Sequence, residues 1–460
     1  MRTATLLLLA LTLISCRTAN LERELDATQQ ALRIPSLSVA VARDGEVLFV
    51  RGGDTRYPIG SITKTFTSTL MLQLAEEGKL DLSAPVAPLV DFEVDPAIRV
   101  NQVLSHTSEG RFAYSSRFNW LDNVVEAATT KESFAKLMKE RVLQRAALTR
   151  TVPDDEANDR AEPHRVENGK AVRSQDPPLG LHSSSGLSST VLDLIRYSDA
   201  LDEHRLLSAA AQERAYGGRP YGLGWFVQDV AGERVVWHTS WWPDAYSGLL
   251  VRIPSRRLTL AVLANTDGLV APQGGSSNVL LYPAANAFLR AFLGRDFRGE
   301  TLVAEGLTER ARGNTTRSEA LLREAVAHDL GSISDDDRLR LFGESADPAV
   351  RTLAADAAQR LLAAYPDDLN LRFNAALLYG RVRPTFTING PDAARALALL
   401  QGILAEKQPL PKWMNAWSSY LVAEHTSDRT LAERAKATGV NTDRLQERVE
   451  ALLKRFPPAN

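Results

Sequence analysis

The stretch that most limits how this chain folds is the apolar run behind Tyr57-Pro58-Ile59-Gly60-Ser61-Ile62-Thr63-Lys64. Ile62, Phe66, Leu70 and Leu74 recur every four residues, Met71 and Leu72 widen the stripe, and Gly78 follows as a stop. This spacing predicts a helix apolar over so much of its girth that it belongs at the centre of a domain, with its amino end at a cleft. Ser61 and Lys64 stand three residues apart, so on a helix opened by Ser61 their side chains share one face, one turn apart. At such an end the N–H groups and the dipole favour a developing alkoxide, and a cation one turn on lowers the cost of deprotonating Ser61. Ser-x-x-Lys alone is a weak pattern. Ser133-Phe134-Ala135-Lys136 repeats it at what reads as the start of an ordinary surface helix, and only the turn before Ser61 and the buried run after it set the first copy apart.

The rest of the chain supplies a frame for that helix. Residues 20–33 read as a short amphipathic helix. Leu37, Val39 and Val41 then alternate with Ser38 and Ala40, Asp44-Gly45 turns the chain, and Val47 to Val50 runs back as a hairpin. Helical pattern follows at 100–104, up to about 127, at 133–143 and at 191–201, the last opened by Thr190-x-x-Asp193. Residues 150–180, rich in charge and proline, read as a long surface loop. Strand pattern returns at 221–227, 235–237, 246–253 and 258–264, and a helix fits 284–293. The fold class expected is α+β. One antiparallel sheet is made from both ends of a domain spanning 20–297, helices flank it and are inserted between its halves, and the cleft lies where the parts meet. Past Arg298 the strand pattern disappears, and 315–460 read as a separate all-α domain offering a surface to a protein partner. Leu361 to Asp368, followed by Leu371 to Ala376, resembles the junction between tetratricopeptide units; a helical cap fits the same residues equally well.

Composition narrows the classes of function. The 460 residues are 44% hydrophobic and 24% charged, with a formal net charge of −2 that offers no footprint for nucleic acid. Arg2 gives a positive start, and Ala4 to Ile14 is apolar and too short to span a bilayer. Leu13-Ile14-Ser15-Cys16 sets the chain's only cysteine where a bacterial lipobox has one. Residues 1–16 are therefore expected to be a lipoprotein signal, with diacylglycerol on Cys16 and the protein anchored in the bacterial envelope, outer membrane and periplasm-facing. A plain secretory signal is the competing reading. The seven histidines show no His-x-His or His-Glu-x-x-His spacing and Gly-x-Ser-x-Gly is absent, so neither metal, cofactor nor nucleophile elbow is expected.

A serine hydroxyl needs a base within reach and donors for the oxyanion it creates. Lys64 supplies a candidate base, Tyr114 in Tyr114-Ser115-Ser116 a phenol that can relay the proton, and His238-Thr239-Ser240 a strand whose N–H groups could face a carbonyl. His-Thr-Ser also occurs at His106 and His425, but strands flank His238. His106, at a helix end, reads as structural. Tyr57 to Gly78, Leu104-Ser105-His106-Thr107-Ser108, Tyr114-Ser115-Ser116, Gly186 to Ser189, Tyr221-Gly222-Leu223-Gly224 and His238-Thr239-Ser240 come in the order found in class C β-lactamase-like serine hydrolases. Over about residues 30–295 the chain resembles that family, which includes penicillin-binding D-alanyl-peptidases and Ser-x-x-Lys esterases.

The resemblance implies Ser61 as nucleophile forming an acyl-enzyme, Lys64 as its activator and Tyr114 as general base and acid. His238 takes the place of the lysine of Lys-Thr-Gly, and the backbone N–H groups of Ser61 and Trp241 form the oxyanion hole. Three departures are visible. Ser116 stands where asparagine is usual, Ser240 replaces a glycine, and Trp241-Trp242-Pro243-Asp244 follows where small residues are common, which is expected to wall the cleft. With Thr239, these residues define the expected substrate contacts, and the departures favour a small or peptide ester or amide over efficient β-lactam hydrolysis. A degenerate, non-catalytic sensor with a helical partner-binding tail is the alternative.

Overall fold

The chain divides into two compact units, Met1–Asn314 and Thr315–Asn460. The computed structural model describes residues 2–178, 180–383 and 385–456, with side chains from residue 17 onward. The first unit is built on a six-stranded antiparallel sheet. β1 (Leu37–Arg43) and β2 (Glu46–Arg51) form a hairpin whose turn residues, Asp44 and Gly45, both have positive φ (51° and 77°), as a type I′ turn requires. β3 (Phe226–Val230), β4 (Glu233–Trp242), β5 (Tyr246–Ile253) and β6 (Leu258–Ala264) come from the other end of the unit. The order is β2-β1-β6-β5-β4-β3, so the two chain ends meet where Val39 pairs with Val262.

Side-chain alternation gives each face of the sheet its own core. Val39, Val41, Leu249, Val251, Leu260 and Val262 face one layer, formed with Leu21 and Leu25 of α1 (Arg2–Ala31) and with Phe288 and Phe292 of a helix at Pro283–Leu293. Ala40, Ala42, Leu250, Ala261 and Leu263 face the other, against α2 (Thr63–Glu76) and α3 (Val191–Asp202). The expected 20–33 helix is thus the end of one longer helix. Cys16 lies on that helix, but its side chain is outside those described.

α2 is buried from Thr63 through Leu74. Ile62, Phe66, Leu70, Met71 and Leu74 are fully enclosed, at about 1.5–3 kcal/mol of transfer free energy each. Phe66 stacks on Tyr197 of α3 with centroids 3.9 Å apart. The helix ends at Gly78, whose φ of 69° lets its N–H reach the Ala75 carbonyl while Lys79 reaches Leu74. The expectation of an apolar girth needs one correction: the remaining face is polar and buried too. Thr67 donates to the Ser183 carbonyl (2.7 Å), Ser68 to Leu223 (2.5 Å), and Gln73 to Leu206 (2.9 Å). These bonds tie distant loops to the helix and satisfy polar groups that would be costly to bury alone.

Three further expectations change. Residues 150–180 hold a two-stranded hairpin, His164–Glu167 with Lys170–Arg173, turned by Asn168-Gly169, where a loop was expected. The strand expected at 221–227 begins only at Phe226, with Tyr221 bridged to it, and the one expected at 235–237 runs from Glu233 to Trp242. Ser133 caps a short helix at Phe134–Leu137 by accepting from the Lys136 N–H, and Lys136 pairs with Glu132 in solvent. No described helix is long and apolar enough to cross a membrane.

In the second unit the described residues form successive helices, among them Thr315–Ala325, Pro348–Ala364, Leu369–Tyr379, Ala393–Leu404 and Lys412–Thr426. Asp347, Asp368 and Asp428 each accept backbone N–H groups at a helix start, and sequential helices pack together through Ala354, Ala358, Leu371, Ala376, Leu400 and Leu421.

Candidate active site

Ser61 sits in a 3-10 turn, Gly60–Ile62, that leads directly into α2. Neither the turn nor the helix has a side-chain cap, and the Ser61 N–H has no acceptor among the described residues. Such an uncapped amino end attracts negative charge. Gly60 has φ 40°, and a Cβ there would stand 2.8 Å from the Ser240 Oγ, so only glycine lets the turn press against β4.

Lys64 reaches Ser61 from one turn along. Its Nζ donates to Ser61 Oγ (2.9 Å) and to the Ser184 carbonyl (3.0 Å), and the side chain is 4% exposed. Burial lowers its pKa to about 7. The loop that delivers Ser184 is held by Thr67 beneath it and by Ser183, whose hydroxyl donates to the Phe118 carbonyl (2.8 Å). Gly224 brings the Tyr221–Gly224 segment onto the same helix: a Cβ on it would lie 2.9 Å from the Lys64 carbonyl.

Tyr114 completes the cluster. Its ring centroid is 5.0 Å from Lys64 Nζ and its hydroxyl is hydrogen-bonded with Ser61. The residue as a whole is 45% exposed, yet desolvation of the phenol raises its pKa against the opposing effect of the Ser61 bond. Burial thus pushes Lys64 and Tyr114 toward their neutral forms from opposite sides. The amine is the group that sheds its proton near neutral pH.

His238 lies on the α2-facing side of β4 and is fully buried. Its Nδ1–H donates to the Thr239 carbonyl (2.8 Å) and its Nε2 accepts from the Tyr221 hydroxyl (2.9 Å). Burial, with Lys64 nearby, lowers its pKa to about 3. Tyr221, named in the sequence only as part of a glycine-bearing motif, is therefore a partner of the site.

β4 also presents a free edge. The Val227 N–H donates to Pro220, away from β4, so Phe226 faces Trp237, and by the period of two Thr239 and Trp241 point the same way. β3 has ended there, and among the described residues no strand covers Trp241 on that side. Ser61 and Trp241 each follow directly in sequence one of the two residues, Gly60 and Ser240, that meet there. The Trp241 side chain turns to the opposite face, where it bonds Asp267, while Trp242 packs beside Gly60. The expected pair of walling tryptophans is in fact split across the sheet. The Ser240 hydroxyl is buried against Gly60 and does not project into the cleft; Ser116 is exposed at the start of a 3-10 turn, Ser116–Trp120.

Comparisons with known proteins bear on the family and the fold. Residues 19–281 match the beta-lactamase family. A beta-lactamase of Providencia stuartii is 26% identical over 265 residues, covering 47% of this chain and 68% of that protein. Penicillin-binding protein 4 of Amycolatopsis lactamdurans is 29% identical over 108 residues, covering 20% of this chain and only 28% of that protein. The octameric penicillin-binding protein homologue from Pyrococcus abyssi has the same fold, with a TM-score of 0.54 and 22% identity over 63% of this chain and 80% of that one. With more than half of its length matched, and a serine, a lysine and a tyrosine gathered at the head of one buried helix, this chain belongs to the beta-lactamase family.

Proposed function

We propose that the protein is a serine hydrolase that forms an acyl-enzyme on Ser61 and acts on a small or peptide ester or amide. The observation that carries this reading is the 2.9 Å contact between a buried lysine of pKa about 7 and the Ser61 hydroxyl. Near neutral pH a large share of Lys64 is the free amine, whose lone pair takes the Ser61 proton as the oxygen attacks the carbonyl. The N–H groups of Ser61 and Trp241 receive the oxyanion. Tyr114, a phenol with raised pKa, accepts the proton from Lys64 only as it hands its own to the leaving group, and in the second half-reaction the same relay draws a proton from water.

Substrate preference follows from His238. Because it is neutral and both its nitrogens are engaged, it gives no charge to a substrate carboxylate, so ester turnover should exceed β-lactam turnover. A panel of a short acyl p-nitrophenyl ester, a chromogenic cephalosporin and a D-Ala-D-Ala peptide tests this ordering. Faster cephalosporin than ester hydrolysis would overturn it. A burst of nitrophenol from wild type, absent in Ser61→Ala, separates the enzyme from a non-catalytic sensor. We further propose that Cys16 carries a lipid anchor holding the protein to the bacterial envelope and that the helical unit engages a protein partner. Loss of membrane association in Cys16→Ala checks the first, and co-purification of one cross-linked protein lost on deleting residues 315–460 checks the second.

A further inference from the structure

One residue outside the reacting set grips Tyr114 from three directions. The Ala113 N–H donates to the His106 carbonyl (2.8 Å), and the Ser115 N–H donates to His106 Nδ1 (3.1 Å). His106 therefore fixes the residue before Tyr114 and the residue after it. Between those two bonds its imidazole lies flat against the phenol, with ring centroids 4.3 Å apart and planes inclined by 29°.

Keeping a histidine here leaves a ring N–H buried without a partner among the described residues, a cost that an apolar side chain would avoid. His106 has φ 55°, in the left-handed region that few side chains occupy. Since Nδ1 accepts, the ring proton sits on Nε2, which is buried with no partner among the described residues. The rings of Phe112, Phe118 and Tyr221 enclose it. The ionisable groups around it are Lys64, His238, Tyr114 and Tyr221; burial first, then Lys64 and His238, lower its pKa to about 2 and keep it neutral. A leucine could fill this volume, and a phenylalanine could stack. Only a flat ring with an in-plane acceptor makes the stack and the Ser115 bond together.

We propose that His106 is the positioning residue for Tyr114, aiming the phenol at Ser61 by holding both flanking backbone groups and one face of the ring. The proposal rests on the reading of Tyr114 as the proton relay of Ser61.

A double-mutant cycle on the full chain tests it, with pre-steady-state acylation by an alkyl ester, whose alkoxide leaving group needs the proton that Tyr114 supplies, as the readout. His106→Asn tolerates the left-handed backbone, keeps an acceptor for Ser115 and removes the stacked ring. It is expected to lower the acylation rate on the order of 10–100-fold with KM changed less than about twofold, the scale expected of a catalytic group displaced by about an ångström. In a Tyr114→Phe background the same change should alter the rate less than about twofold, because the hydroxyl it aims is gone. His106→Phe, which keeps the ring and drops the acceptor, is read in the same way, so whichever variant folds carries the test. An equal fold-loss in both backgrounds, or none in either, would overturn the role of His106 alone. A wild-type rate in Tyr114→Phe would overturn the role of the tyrosine, and that of His106 with it.

Discussion

The Tyr221 hydroxyl donates to His238 Nε2 at 2.9 Å while the opposite ring nitrogen, Nδ1, donates to the Thr239 carbonyl. A carbonyl can only accept, so the proton is fixed on Nδ1 and the tyrosine must be the donor at Nε2. The imidazole is thus a neutral strut between two protein groups, Tyr221 and the β4 backbone at Thr239.

A lysine placed at this position should therefore not be tolerated. His238→Lys would put an ammonium into a fully buried site, next to Lys64, and leave the Tyr221 hydroxyl without its acceptor. We expect a loss of about 2–4 kcal/mol in unfolding free energy and no gain in cephalosporin hydrolysis. Urea titration and a chromogenic cephalosporin check both parts; a stable variant with new β-lactamase activity would contradict the strut.

Acid sensitivity follows from the same burial. His238 and His106 have folded pKa values lowered to about 3 and about 2, below the ordinary 6.5. The unfolded chain then binds more protons than the native one below pH 6.5, so stability is full above that pH and falls as pH drops toward 3. Each histidine contributes up to about 1.4 kcal/mol per pH unit in that window. Denaturation midpoints at pH 7.5, 6.0 and 4.5 should decline, less steeply in His238→Gln. A slope unchanged by that substitution would mean the ring is not neutral in the fold.

Lys64 sets the other limb. Its pKa of about 7 predicts that kcat/KM rises with pH through a single step near 7. Lys64→Arg cannot lose its proton and should reduce kcat/KM by about a thousandfold. Because folding lowers this pKa from 10.5, charging Lys64 costs stability fully below pH 7 and progressively less up to 10.5, so Lys64→Met should gain most in acid. Thermal melts at pH 6 and pH 9 read this difference.

The second Ser-x-x-Lys is a control built into the chain. Ser133 is a helix cap and Lys136 is paired with Glu132 at the surface. Ser133→Ala should cost about 1 kcal/mol of stability and leave ester turnover unchanged. A fall in turnover comparable to that of Ser61→Ala would show that the wrong copy has been assigned.

Much of this could be read from residues alone, because strong local patterns coincided with deep burial. The period of Ile62, Phe66, Leu70 and Leu74 located α2, and Thr190-x-x-Asp193 located α3, whose Thr190 hydroxyl accepts from the Asp193 N–H. The β1–β2 hairpin and strands β5 and β6 lie where alternation and turns placed them. What escaped depended on long-range contacts or on a signal passed over. Asn168-Gly169 between His164-Arg165-Val166-Glu167 and Lys170-Ala171-Val172-Arg173 is a strong hairpin pattern that the prolines around it masked. The Ser184 carbonyl on Lys64 has no side-chain signature at all. Thr67, Ser68 and Gln73 lie outside the apolar stripe, and only the loops that close over them make that face an interior. His106 could not be told from an ordinary buried histidine, since its role lies in bonds to residues 113 and 115 made by a left-handed turn.

The measurement closest to the central claim is intact-protein mass spectrometry with peptide mapping after brief exposure to a slowly deacylating ester, at pH 6 and pH 8. We expect one acyl adduct, on Ser61, forming about tenfold faster at pH 8 because Lys64 has shed its proton there. No adduct, an adduct on another serine, or a rate indifferent to pH across that interval would contradict a lysine-activated Ser61.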